Sequence, residues 1–265
     1  YARARLGGGH SLLNGGKYTE ALRVLEAGLL RANDDVQRGS YNYLLGQAYS
    51  GQGDFSTAVT RFSAAFEFPV GPELTEALRF SRGNAAFAAA DYELAEEDFN
   101  WIVEQVTEPE KVRSAKDALA LVYLKQNRGT DAVRTLADMA ADTKNPEEQA
   151  ILLSRVMDLH YEEDNYPETI AVARQLIDLE FDDVLSSGQV YGRKEKAYFL
   201  IGDALARLDR SAEAAAIFQT ALERYPESFF ATDMRLTLGV HYFDQGELDQ
   251  AKQVFADLSE AELDR

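Results

Sequence analysis

The chain has 265 residues, 46% of them hydrophobic, enough to bury a sizeable core as one elongated array or as up to two compact domains. No run approaches the roughly 18 uninterrupted apolar residues of a membrane-spanning helix, and the lack of cysteine excludes disulfides, thiolate nucleophiles and cysteine-ligated metal sites. Asp and Glu number 45 against 27 Lys and Arg, and the net charge of −18 repels phosphate backbones and anionic lipid heads, so neither nucleic acid nor direct membrane insertion is expected.

The chain opens at Tyr1 with neither a basic start nor an apolar signal core, which predicts a true N-terminus further upstream that would carry any export signal or lipid anchor. From there a small residue followed four positions later by a bulky one recurs: Ala21/Leu25, Ala58/Phe62, Ala95/Phe99, Ala132/Leu136, Thr169/Ala173, Ala214/Phe218 and Ala251/Phe255. The first members are spaced by 37, 37, 37, 37, 45 and 37 residues. Twelve residues before each lies a second slot, holding Gly9, Gly46, Gly83, Ala120, Met157, Gly202 and Gly239. Turn residues separate the two slots, as in Asn14-Gly15-Gly16, Gly51-Gln52-Gly53, Asn127-Arg128-Gly129 and Gln245-Gly246.

Apolar spacings of three and four lie along one helical face, so each unit reads as two antiparallel amphipathic helices. Glycine or alanine at the crossing lets the backbones approach, and the aromatic or leucine of the second helix fills the space beside it. One such pair cannot bury its apolar faces alone, so neighbours must stack. The arrangement resembles the tetratricopeptide repeat, with Leu45-Gly46-Gln47-Ala48-Tyr49, then Ala58 and Phe62, and, in the sixth unit, Ala214, Phe218 and Pro226. That resemblance implies an all-α fold, a right-handed superhelical solenoid of about seven helix-turn-helix repeats. The period departs from the family's usual ~34 residues. Together with Tyr225-Pro226-Glu227-Ser228, Ala231 and Leu238-Gly239, it is similar to the subtype found in bacterial cell-envelope proteins, and implies an envelope or periplasmic location, with a cytoplasmic one as the alternative.

The long spacing falls at residues 181–193, which contain Asp182-Asp183, Ser186-Ser187-Gly188 and Gly192. These residues are the expected linker or insertion between five repeats in 1–180 and two in 194–265. The unit before it, with Met157, His160, Thr169 and Ala173 in the repeat slots, is the most degenerate and is expected to pack loosely. The final helix carries Val254, Phe255 and Leu258 with no polar helix after it, which predicts further repeats, another chain or self-association at that edge.

Catalytic chemistry is not legible. His10, His160 and His241 sit in three separate repeats, so no shared metal site or dyad is expected. The carboxylates around His160 lack the alternating ligands and central glycine of a calcium loop. The stretch from Gly7 to Lys17 fails as a phosphate-binding loop, because Ser11 stands where its first glycine belongs and Tyr18 follows the lysine. No cofactor and no enzymatic activity are expected.

In the solenoid that the resemblance implies, the first helix of each pair lines a concave groove. Counting three, four and three residues along it gives a candidate partner-binding stripe. It comprises Tyr43 and Gln47, then Phe80, Asn84 and Phe87, then Asp117 and Leu121, then Asp158 and Tyr161, and last Phe199 and Asp203. Apolar anchors with acidic flanks suit a protein or peptide bearing apolar and basic residues. The expected role is a protein–protein interaction scaffold, or alternatively a regulatory or targeting segment of a larger enzyme or export machine.

Overall fold

The computed structural model describes residues 2–183 and 192–263. Among these the chain forms fourteen helices in consecutive packing pairs, about seven helix-turn-helix repeats. They are α1 (Ala2–Asn14), α2 (Tyr18–Leu29), α3 (Asp35–Gly51), α4 (Phe55–Ala65), α5 (Pro72–Ala88), α6 (Tyr92–Gln105), α7 (Pro109–Lys125), α8 (Gly129–Asp142), α9 (Pro146–Glu162), α10 (Tyr166–Asp178), α11 (Arg193–Arg207), α12 (Ser211–Arg224), α13 (Ala231–Asp244) and α14 (Leu248–Leu263). Two compact units comprise residues 1–135 and 136–265, with α8 beginning in the first and ending in the second.

Helix starts follow local chemistry. Pro72, Pro109 and Pro146 open α5, α7 and α9, where a missing N–H costs nothing and φ is already helical. The carboxylates of Asp34, Asp54 and Asp91 accept from the backbone N–H of Gln37, Thr57 and Leu94 at the starts of α3, α4 and α6. Helix ends repeat as well. Gly16, Gly53, Ala90, Asn127, Asp164, Asp209 and Gly246 all have positive φ, each at the turn inside a pair and each in the register of the sequence repeat. The next residue's N–H then reaches back to a carbonyl five positions earlier, as in Asp54 to Tyr49 at 3.0 Å and Arg210 to Leu205 at 2.9 Å.

The glycine slot is a close approach. A Cβ on Gly46 would lie 2.5 Å from the Phe62 ring, and one on Gly202 would lie 2.2 Å from that of Phe218. Phe62 and Phe218 are fully buried, so their rings fill the space that a side chain on the first helix would need. The degenerate fifth repeat does not pack loosely as the sequence suggests. Met157 takes the glycine slot and Ala173 the aromatic slot, an exchange of volumes that leaves both fully buried, and the Thr169 hydroxyl donates to the Asn165 carbonyl at 2.9 Å.

The unit of residues 1–135 also buries a charge cluster. Asp98 is fully buried, and its carboxylate accepts from Arg79 at 2.7 Å and from two nitrogens of Arg82, each at 2.8 Å. Both guanidiniums lie over the Phe66 ring. Most of the expected linker at 181–193, residues 184–191, lies outside the described residues. Its flanks meet: the Asp183 carboxylate accepts from the backbone N–H of Arg193 and Lys194 at 3.0 and 2.8 Å, and the Lys194 amine donates to the Leu179 carbonyl.

Candidate functional site

In the first unit α1 touches α3, α3 touches α5 and α5 touches α7, whereas among the described residues α2, α4 and α6 do not pack on one another to a like extent. The odd helices therefore form a continuous layer, and the residue after each glycine slot recurs along it as His10, Gln47 and Asn84. A cleft of about 400 Å³ opens on this layer. Gln47 and Asn84 line it together with Asn14, Ser50 and Ser81, while Tyr18, Phe55 and Phe62 supply apolar walls. Carboxamides and hydroxyls here both donate and accept, the pairing capacity that a peptide backbone requires.

An adjoining cleft of about 310 Å³ is lined by Leu6, His10, Ser40, Tyr43, Leu44 and Leu74. The Gln47 amide donates to the Tyr43 hydroxyl at 2.8 Å, which ties the two clefts through one hydrogen bond. Phe80 lines neither; it contributes to a third cleft of about 320 Å³ among α5, α6 and α7. Its ring meets Phe99 edge-on at 5.9 Å, and the Phe87 ring lies 5.7 Å from Tyr92 at the α5–α6 turn. Both are half-buried, so their inner faces serve the repeat and their outer edges remain available. On α7, Leu121 is 46% exposed and Asp117 is half-buried.

In the unit of residues 136–265 the stripe is tied up internally. Asp158 on α9 binds the Lys196 amine of α11 at 2.7 Å. Asp203 accepts from the Tyr161 hydroxyl and from Arg207 at 2.6 Å, and the Arg207 guanidinium lies over the Tyr161 and Tyr166 rings. Burial and that bond to Asp203 push the Tyr161 phenol up to about 12. Phe199 stacks on Phe230 at 4.4 Å and 10°. Of the carboxylates that sequence offers as acidic flanks, Asp158 and Asp203 are thus already neutralised by neighbouring cations. Exposed apolar side chains here include Leu236, Val240 and Phe243 on α13 and Phe255 on α14.

Sequence reasoning missed Asn14, Ser50 and Ser81, although carrying the register one repeat back from Gln47 would have found His10. Among the described residues no three His, Asp or Glu side chains converge as a metal would require, and no helix is long and apolar enough to cross a membrane.

Paired helices whose odd members share a layer define a helical repeat protein. Tetratricopeptide repeat family models match residues 6–72, 80–148 and 158–229, and a further one matches residues 203–265. The chain belongs to the tetratricopeptide repeat family. No curated protein sequence matches it significantly. Its fold is similar to the C-terminal part of a tetratricopeptide repeat-containing protein from Cytophaga hutchinsonii, with a TM-score of 0.63 and 10% identity over 96% of this chain and 93% of that one. It is also similar to a tetratricopeptide repeat protein from Parabacteroides merdae, with a TM-score of 0.52 and 17% identity over 98% and 92% of the two chains. A chain in the structure of Naa15/Naa10 bound to HypK-THB matches at a TM-score of 0.62 and 15% identity, over 91% of this chain and 34% of that one.

Proposed function

We propose that this protein is an interaction scaffold that holds an extended polypeptide segment against α1, α3 and α5. The observation that carries the reading is the cleft in which Asn14, Gln47, Ser50, Ser81 and Asn84 surround the apolar walls of Phe55 and Phe62. Amide side chains one repeat apart pair with successive stretches of ligand backbone, while the aromatic walls take alternate side chains. Tyr43 and Phe87 extend the apolar surface; Leu121 continues it on α7. In the other unit Asp158, Tyr161, Phe199 and Asp203 are proposed to act as a preset surface, with the ion pairs fixing their geometry.

A bacterial envelope location is part of the proposal and draws on the 37-residue period and the Tyr225-Pro226-Glu227-Ser228 segment. The boundary between five repeats and two is proposed at residues 181–193, on the extra length there. The second reading, a regulatory or targeting segment of a larger assembly, draws on the Naa15/Naa10 likeness, where the matching stretch is 34% of a longer chain. Selection of phage-displayed peptides on the immobilised chain, followed by anisotropy with the best binder, tests the scaffold role. The Gln47→Ala/Asn84→Ala variant should weaken that peptide about tenfold, two hydrogen bonds' worth. Unchanged affinity in the folded variant would remove the cleft from the account.

A further inference from the structure

The connections between repeats differ in a way that opens a cleft. Residues 66–71 join α4 to α5, whereas only residues 106–108 join α6 to α7. In the longer connection Phe68 and Val70 pack against Gly39 of α3: a Cβ there would meet them at 3.4 and 3.1 Å. One repeat on, the short connection supplies only Val106, and the position equivalent to Gly39 is Glu76. The seam that Phe68 and Val70 plug between α3 and α5 is therefore left open between α5 and α7.

What remains is the cleft of about 320 Å³, at the low end of the ~300–1,000 Å³ typical of ligand sites. Its floor is apolar, made by Ala77, Phe80, Ile102 and Val106, with Ile102 and Val106 buried. Its rim is acidic. Glu73 and Glu110 are exposed and make no ion pair among the described residues, while Glu76 is held by the Lys111 amine at 2.9 Å. Lys111 also binds Glu108 at 2.8 Å, and these two carboxylates raise its pKa above the ordinary lysine value, so this rim cation is already committed.

We infer that this cleft is an anchor pocket for a single aliphatic or aromatic side chain of a partner polypeptide, followed directly by a lysine or arginine. The apolar side chain takes the place that Phe68 and Val70 fill in the preceding seam, and the basic one bridges Glu73 and Glu110. Charge complementarity selects that partner, because an acidic or phosphorylated segment would meet the same carboxylates. The inference rests on the scaffold reading but not on the cleft of Gln47 and Asn84.

The test uses the full 265-residue chain, isotopically labelled at methyl groups, and two capped pentapeptides, Ser-Phe-Arg-Ser-Gly and Ser-Phe-Glu-Ser-Gly. The arginine peptide should shift the Ala77, Ile102 and Val106 methyl signals and bind about fivefold more tightly than the glutamate peptide, the discrimination that two rim charges supply. Glu73→Gln/Glu110→Gln should cut that ratio below about twofold. Ser114→Leu, which fills the cleft from an exposed rim position and spares the core, should abolish the methyl shifts while helicity is retained. Gln47→Ala/Asn84→Ala should leave them intact, which separates failure of this pocket from failure of the neighbouring cleft. Equal binding of the two peptides, or no shift at these methyls with either, would overturn the inference.

Discussion

Alanine in place of a glycine usually stabilises a helix by about 1 kcal/mol, yet here the sign should depend on which glycine is replaced. At Gly7 a Cβ meets nothing within 4 Å, so Gly7→Ala should stabilise by up to ~1 kcal/mol. At Gly83 the nearest atoms are Phe99 ring carbons at 3.0 Å and the Asp98 Cβ at 3.3 Å, so a small shift offsets the gain and the net should be near zero. At Gly46 the Phe62 ring stands at 2.5 Å and is 1% exposed, with nowhere to go. Restoring contact distance means parting α3 from α4 by about 1 Å, an overpacking cost of roughly 2–3 kcal/mol, so Gly46→Ala should destabilise by about 1–2 kcal/mol net. Adding Phe62→Leu should recover part of this, since the fourth repeat carries Ala120 and Leu136 in the same two slots. Urea unfolding followed by far-ultraviolet circular dichroism gives the order. A Gly46→Ala protein as stable as the parent would refute close packing at this slot.

Ala90 holds φ +62, which suits glycine better than any residue with a Cβ. Ala90→Gly should therefore raise stability by about 0.5–1 kcal/mol, while Asp209→Gly, at a residue type that tolerates this region, should change little; thermal melts compare the two. Asp98→Ala would leave Arg79 and Arg82 facing each other with their shared carboxylate gone, at a cost of about 3–5 kcal/mol, against less than ~0.5 kcal/mol for Glu97→Gln at an exposed position. Tyr161 has its pKa raised in the fold from the ordinary 10.0 to about 12. Its contribution to stability is thus fully present below pH 10.0 and is lost as the pH rises to about 12. Ultraviolet titration should find a phenol ionising near 12 in the parent and missing from Tyr161→Phe.

The repeat was readable because a glycine and a bulky apolar side chain sixteen residues apart must be complementary, and that constraint recurs at Gly9/Leu25, Gly46/Phe62 and Gly202/Phe218. The turn positions were readable only where glycine or asparagine marked them. Ala90 adopts the same left-handed conformation with nothing local to announce it, and the register alone reveals it. Slot-by-slot scoring called the fifth repeat loose because it judged Met157 and Ala173 separately, whereas packing responds to their summed volume. Asp158 and Asp203 looked like free flanks because their cations come from elsewhere: Lys196 lies across the irregular 45-residue spacing, and Arg207 one helical turn on. Gln47 and Asn84 were placed on one face by counting, and one cleft joins them. Phe80 was placed on that face too, but the short 106–108 connection gives it a cleft of its own.

The central claim is that a partner segment lies along the layer of α1, α3 and α5. Site-specific photo-crosslinking tests it most directly, with benzoylphenylalanine placed at Ser81 in the cleft or at the exposed Thr60 on α4, and a phage-selected peptide as the probe. Crosslinks from Ser81 and none from Thr60 are the predicted result; efficient crosslinking from Thr60 with none from Ser81 would contradict it.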